Sequence, residues 1–210
     1  MGISERRTRE KDERRSSILE AARRQFLARG LEQVTMSEVA REAELSKGTL
    51  YLYFEDKTDI MYSLLLESLE DLRDRVVPVI DGPGSGIEKV HELVERYIAF
   101  YHERQDFFPL FHYLDYAFNA EGPTDSTAEA CFSIMDELNR RLQDLLRAGT
   151  ADGSFRSDID PDEQAVMYAH VIHGFMEHAV ARGGFIRART GVDPEELIRR
   201  MFAMIIDSLQ

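Results

Sequence analysis

Residues 35–57 read TMSEVAREAELSKGTLYLYFEDK, and the stretch divides into two short helices in tandem. Thr35, with Glu38 three positions on, has the capping-box spacing, in which the hydroxyl serves a free amide and the carboxylate reaches back. A helix over about Met36–Ala43 follows, with Val39, Ala40 and Ala43 inward. Ser46 is a second N-cap candidate and opens a helix over about Lys47–Tyr53. Two such helices after a longer one make a helix-turn-helix candidate. That unit needs small residues where its helices cross, here Ala40 and Ala43. It needs apolar residues on the buried side of the second helix, here Leu45, Leu50 and Phe54. The outward side then presents Ser46, Lys47, Thr49, Tyr51 and Tyr53, and Gly48 permits close backbone approach to DNA. Spacing alone leaves an ordinary helical hairpin with exposed polar residues as the alternative.

Helical periodicity extends in both directions. Upstream, Ile18, Ala22 and Phe26 sit four apart on a helix over about Arg7–Arg29, with Leu19 and Ala21 beside the stripe and Gly30 as the stop. Downstream, a long helix begins near Asp56 and is expected to end near Val77, because Pro78 disfavours continuation. The segment DGPGSG, 81–86, is the clearest break in the chain. Helices follow at about 87–104, 106–119, 125–148, 161–182 and 194–208, with loops expected at Gly122-Pro123, Gly149, Gly153, Gly183-Gly184 and Gly191. Asp160-Pro161 and Asp193-Pro194 read as helix starts, the Asp capping and the Pro in the first turn. β-Branched residues never alternate over a strand length. The expected fold is all-α, with about nine helices: a domain over 1–56, joined by a long helix to a second domain over 57–210.

Composition narrows the class. The chain has 210 residues, 43% hydrophobic and 31% charged, enough apolar mass for a core. Its single cysteine, Cys131, excludes an intramolecular disulfide and a cysteine-built metal site. No apolar run reaches the about 18 residues that a membrane helix requires, and the charged N-terminus lacks a secretory signal's apolar region. A cytoplasmic protein without a membrane partner is expected. The net charge of −13 hides an asymmetry: residues 1–31 hold nine Lys+Arg against five Asp+Glu, whereas residues 61–210 hold 14 against 27. Phosphates attract the first part and repel the second, which would orient the molecule on DNA. A solvated arginine-rich helix is the plainer reading of the basic end.

Catalytic signatures are missing. There is no Gly-x-Ser-x-Gly elbow and no Gly-x-x-x-x-Gly-Lys loop. A di-metal bundle needs two Glu-x-x-His pairs, and only Glu88 with His91 occurs. His170, His173 and Glu177 share one helix face, with His178 adjacent and His112 or Asp115 as possible helpers. Metal binding there competes with ordinary hydrogen-bonded histidines. No cofactor and no enzymatic activity are expected. A helix-bundle small-molecule or metal-binding protein without DNA activity is the alternative function.

In order and spacing, Ile18, Ala21-Ala22, Phe26, Gly30, Thr35, Val39-Ala40, Leu45 through Tyr51, Tyr53-Phe54 and Lys57 resemble the N-terminal signature of TetR-family transcriptional regulators. The match covers about residues 15–60. The remainder resembles the family in length, helical character and weak features such as Gly153–Arg156–Asp158. The resemblance implies a nine-helix homodimer on a palindromic operator in double-stranded DNA, and a repressor released by its ligand. By position, Lys47, Gly48, Thr49 and Tyr51 would face the major groove, and Thr35, Ser46, Tyr53 and Lys57 would contact phosphates. Arg6, Arg7, Arg9, Arg14 and Arg15 are further candidates for backbone or minor-groove contacts. The turn position that usually holds glycine is Glu44 here, which costs about 1–2 kcal/mol if its backbone is left-handed.

Residues 97–118 are rich in aromatics, and Met, Tyr and His recur later in the chain. Core packing accounts for most of them. A mixture of aromatic, Met, His and Tyr also suits an apolar pocket with a few orienting polar groups. Phe107, Phe111, His112, Tyr116, Met135, Met167 and His170 are the expected lining for an apolar or aromatic effector, with a cationic ligand ranked second. Two recognition helices must stand about 34–36 Å apart to enter successive grooves, so a ligand that changes this separation controls binding. A dimer is expected through the last two helices, with Tyr168, Val171, Ile172, Phe175 and Met176 on one and Leu197, Met201, Phe202, Ile205 and Leu209 on the other.

Overall fold

A computed structural model describes the backbone of residues 3–118 and 126–210 and the side chains of 5–113 and 126–210. The expected Gly122-Pro123 loop and the side chains of Asp115, Tyr116 and Phe118 lie outside the described residues. Nine helices and no strand occur among those described: α1 Ile3–Arg29, α2 Met36–Glu42, α3 Lys47–Leu50, α4 Lys57–Asp81, α5 Gly86–Glu103, α6 Phe107–Phe118, α7 Ser126–Asp152, α8 Pro161–Thr190 and α9 Pro194–Leu209.

Local chemistry sets most of the helix starts. Asp56 accepts the amides of Thr58 and Asp59 at 2.8 and 3.0 Å and opens α4. Asp160 accepts those of Asp162 and Glu163, and Asp193 accepts that of Glu195, each followed by proline in the first turn. Side-chain oxygens thus satisfy amides that have no intrahelical partner. Gly191, at φ 73, closes α8 in the left-handed conformation.

Three helices run past their expected C-terminal ends, each for a tertiary reason. α4 passes through Pro78 to Asp81. Val76 and Val79 are buried on either side of that proline, and the packing of this face offsets a penalty of about 3 kcal/mol. α7 continues through Gly149 because the Phe155 ring lies on it; a Cβ there would stand 2.1 Å from Phe155 Cε2. α8 continues through Gly183-Gly184, and a Cβ on Gly183 would meet Pro194 Cγ at 3.0 Å. Gly149 and Gly183 are points of close approach, not loops.

The chain forms two compact units. The first contains residues 1–67 and 110–129. Its core gathers Ile18, Ala22 and Phe26 of α1, Val39 and Ala40 of α2, Leu50 of α3, Phe54, and Ile60 and Leu64 of α4. The second contains residues 68–109 and 130–210. There Val90, Leu145, Leu146, Phe155, Ala165, Tyr168 and Leu209 form a buried cluster, and the Tyr168 hydroxyl lies 2.7 Å from Ser208 Oγ. Asp71 ties α4 to the end of α5 by accepting from Arg75 at 2.9 Å and Arg104 at 3.0 Å. Burial pushes its carboxyl up, and these two guanidiniums outweigh that and hold it below the usual range.

Gly149→Ala should destabilise the chain by about 1–3 kcal/mol, since Phe155 must move. Gly184→Ala, whose new methyl meets nothing within 4 Å, should stabilise it by about 0.5–1 kcal/mol. Urea denaturation of both variants beside the parent chain checks the pair.

Candidate nucleic-acid interface

The turn between α2 and α3 is built from backbone hydrogen bonds. The Ala43 amide donates to Val39 O at 2.9 Å, and the Leu45 amide reaches back to Ala40 O at 2.8 Å. Glu44 between them has φ 56, the only positive φ at a non-glycine among the described residues. The left-handed backbone that makes a non-glycine costly at this turn position is therefore present.

α2 is held at its start by the reciprocal box. Thr35 Oγ1 accepts the Glu38 amide at 3.3 Å, while Glu38 accepts from the Thr35 amide at 2.9 Å and from its hydroxyl at 2.8 Å. Arg29 of α1 donates to the same carboxylate at 2.6 Å. The Arg29 hydrogen bond first, and then the Thr35 backbone and hydroxyl, bring the Glu38 pKa down to about 2. α3 starts at Ser46, whose Oγ accepts the Thr49 amide at 3.0 Å and lies 2.8 Å from Thr49 Oγ1. It is shorter than its sequence suggests. Past Leu50 the chain tightens, with the Tyr53 amide donating to Leu50 O at 3.0 Å.

This framework separates two faces. Leu50 and Phe54 are buried, while Ser46, Lys47, Gly48, Tyr51 and Leu52 are exposed, Tyr51 by 47% and Leu52 by 79%. The Lys47 ammonium lies 5.8 Å from the centre of the Tyr51 ring, so charge and ring are presented together. Thr49 and Tyr53 are half-buried, and Thr35 is exposed at the mouth of α2. Lys57 is half-buried and donates to Leu31 O at 2.8 Å and Glu32 O at 3.4 Å, anchoring the segment between α1 and α2 to the start of α4. Leu52 was not singled out by sequence, and its apolar type pointed inward.

The residues expected to line an effector site fall into different settings. Phe111 and His112 belong to the first unit, half-buried and exposed respectively. In the second unit Phe107 is buried, 5.2 Å from Phe100 and 5.3 Å from Phe108 between ring centres, and Met135 is half-buried. Met167 and His170 are exposed, and His170 Nδ1 lies 2.7 Å from Val166 O. These two lie on the outer flank of α8, since the neighbouring Tyr168 faces the core. The His173 ring stacks on Phe108 with centres 6.1 Å apart. Among the described residues, no group of three His, Cys, Asp or Glu side chains is placed to hold a metal ion. A separate groove of about 300 Å³ opens beside Tyr101, His102 and Gly184, and its lining includes Arg187 and Asp193, paired at 2.6 Å.

The residues expected at a dimer contact divide by burial. Tyr168, Met176, Met201 and Phe202 are buried within the chain itself, and Ile172, Phe175 and Ile205 are half-buried. The exposed face of α8 carries Met167, Val171, Gly174, His178, Ala181 and Phe185, in alternating steps of four and three. Met204 of α9 is 72% exposed. α8 is apolar on more than one side, so periodicity alone could not say which stripe the chain keeps for itself.

Residues 18–64 match the model for bacterial regulatory proteins of the tetR family. The curated relatives include the transcriptional regulator HbdR of Aromatoleum sp., 29% identical over 69% of this chain; the matched stretch spans 61% of HbdR's own length. They also include the transcriptional repressor KstR2 of Rhodococcus jostii, 29% identical over 71% of this chain and 72% of KstR2. Among solved structures, the MbdR regulator of Azoarcus sp. CIB superposes with a TM-score of 0.74 at 20% identity, covering 93% and 98% of the two chains. AibR in complex with isovaleryl coenzyme A and operator DNA gives 0.68 at 16% identity, covering 91% and 97%. FadR of Bacillus subtilis in complex with stearoyl-CoA gives 0.67 at 18% identity, covering 93% and 99%. At these identities the structural likeness establishes the shared all-helical fold. No helix among the described residues is long and apolar enough to cross a membrane.

A carboxylate depressed in the folded state favours folding at neutral pH. Its contribution is present above the unfolded value near 4.5 and is lost as pH falls through the folded value near 2. NMR titration should therefore place the Glu38 midpoint near 2, and Arg29→Ala should move it upward. An ordinary midpoint in the parent chain would contradict the Arg29–Glu38–Thr35 arrangement.

Proposed function

The chain belongs to the TetR family of bacterial regulatory proteins, and from that premise we propose that it is a ligand-responsive repressor acting as a homodimer on a palindromic operator. One observation carries the DNA-binding part: Lys47, Gly48 and Tyr51 share an exposed face whose reverse side, Leu50 and Phe54, is buried. Such a unit can enter a major groove without giving up its core. Lys47 suits a guanine edge or a phosphate, and Leu52 suits a thymine methyl group. Half-buried Thr49 borders this face, and Thr35, Ser46, Tyr53 and Lys57 form the phosphate-facing rim in this reading. Residues 1–56 read DNA, and 57–210 hold the effector and the partner chain.

For the dimer, the exposed α8 stripe supplies the contact. Steps of four and three are the seam along which two helices pack, and Gly174 and Ala181 let their axes approach closely. Met204 of α9 offers a further exposed apolar side chain. A twofold pairing makes this stripe self-complementary and presents two recognition helices to one side of a duplex.

The effector is an apolar acyl or aromatic molecule. Two proteins of the same fold were solved with acyl-CoA thioesters, and the second unit is rich in buried aromatic side chains. α4 spans about 37 Å at 1.5 Å per residue and is the covalent path from the DNA-reading segment to the remainder. A ligand that prefers one state shifts operator affinity by its differential affinity for the two states. Release by the ligand is the sign this reading adopts.

Lys47→Ala and Tyr51→Ala should each weaken operator binding by about 10–100-fold and reduce its preference over mixed-sequence DNA, as measured by fluorescence anisotropy. Full retention of affinity and preference in both variants would contradict the assigned face. Isovaleryl-CoA and stearoyl-CoA, added in the same assay, test the effector class by release of DNA. Val171→Glu with Phe185→Glu should give a monomer in sedimentation at micromolar concentration, and a persistent dimer would exclude the α8 stripe.

A further inference from the structure

α1 begins well before its first buried residue. From Glu5 to Arg14 every position is exposed, and the core starts only at Ile18. This leading portion is crowded with charge, and the structure sorts it. Arg6 pairs with Glu10 at 2.7 Å and Arg9 with Glu13 at 3.4 Å. Arg15 lies over the Phe54 ring at 5.1 Å and donates to Ser63 Oγ at 2.8 Å. Arg7, Lys11 and Arg14 are left without an ion-pair partner among the described residues.

These three cations are spaced by four and three, which places them within about 60° on one face of a helix. It is the face that carries Ile18 and Ala22 farther along, so one stripe of α1 changes from apolar in the core to cationic beyond it. Arg15 marks where the change occurs. Its contacts with Phe54 and Ser63 set α1 beside the end of the recognition segment as it leaves the core. Arg14, Lys11 and Arg7 then stand about 1.5, 6 and 12 Å farther along the axis. Cations at steps of four and three on an exposed helix repel one another.

We propose that Arg7, Lys11 and Arg14 form a second DNA-contact strip that binds phosphodiester groups outside the two-helix reader and carries no sequence preference of its own. The proposal rests on the regulator reading for its physiological partner. Its chemistry, cations meeting a polyanion beside the recognition segment, does not depend on any operator. The strip supplies affinity and salt dependence, while Lys47 and Tyr51 supply selection. The intra-helix pairs of Arg6 and Arg9 make those two arginines weaker contributors.

The test measures binding of the full chain to a mixed-sequence duplex between 50 and 200 mM salt. Each phosphate neutralised contributes about 0.9 to the slope of log affinity against log salt concentration. Arg7→Gln/Lys11→Gln/Arg14→Gln should therefore flatten the slope by about 2–3 for each protomer bound and weaken binding more than about ten-fold. Arg7→Lys/Arg14→Lys should restore it, and Arg6→Gln/Arg9→Gln should change it less. All substituted side chains are exposed, and circular dichroism checks that α1 stays helical. A triple variant with the parent slope overturns the proposal, including the case where the strip serves an acidic protein instead. If the parent chain prefers no palindrome, the operator reading fails by itself, and the slopes on mixed-sequence DNA still decide the strip.

Discussion

The hydrogen bond from the Leu45 amide to the Ala40 carbonyl, 2.8 Å long, is the constraint on which the DNA-reading part depends. It closes the turn between α2 and α3 so tightly that Glu44 must adopt φ 56. A left-handed non-glycine residue costs about 1–2 kcal/mol, and the burial of Val39, Ala40, Leu50 and Phe54 around the turn offsets it. Side chains at Ala40 and Ala43 small enough for the helices to cross make this closure possible. With the turn closed, Leu50 faces the core and Lys47 and Tyr51 face outward; with it open, that division has no basis.

Short links to α1 and α4 also steady the turn. Arg29 and Thr35 share the Glu38 carboxylate, which ties the end of α1 to the start of α2. Lys57 grips Leu31 O from the start of α4. The exposed surface is then free to be polar and cationic. The charge distribution fits this arrangement: the excess of acids lies in residues 61–210, where it repels phosphate, and the basic excess lies at the start of α1.

Features set by neighbours along the chain were legible in the sequence. The Thr35–Glu38 box, the Ser46 cap and the Asp160-Pro161 and Asp193-Pro194 starts each depend on residues within a few positions. Features set by distant packing were not. Pro78 reads as a terminus because the burial of Val76 and Val79 beside it exists only in the folded chain, and Gly149 and Gly183 read as loops because Phe155 and Pro194 reach them only there. α8 misled for a related reason. Tyr168 and Met176 belong to the interior, and the exposed stripe begins one position away at Met167. The effector residues were the least legible, because aromatic composition reports burial and does not distinguish a filled core from a ligand site.

The central claim is that two copies of one short helix are presented symmetrically to a duplex. Selection from a pool of random DNA with the full chain, followed by sequencing, tests it most directly. The account predicts an inverted repeat whose half-sites are centred about 10 base pairs, or a multiple of that, apart. Recovery of a single unrepeated motif, or of no motif above the starting pool, would contradict it.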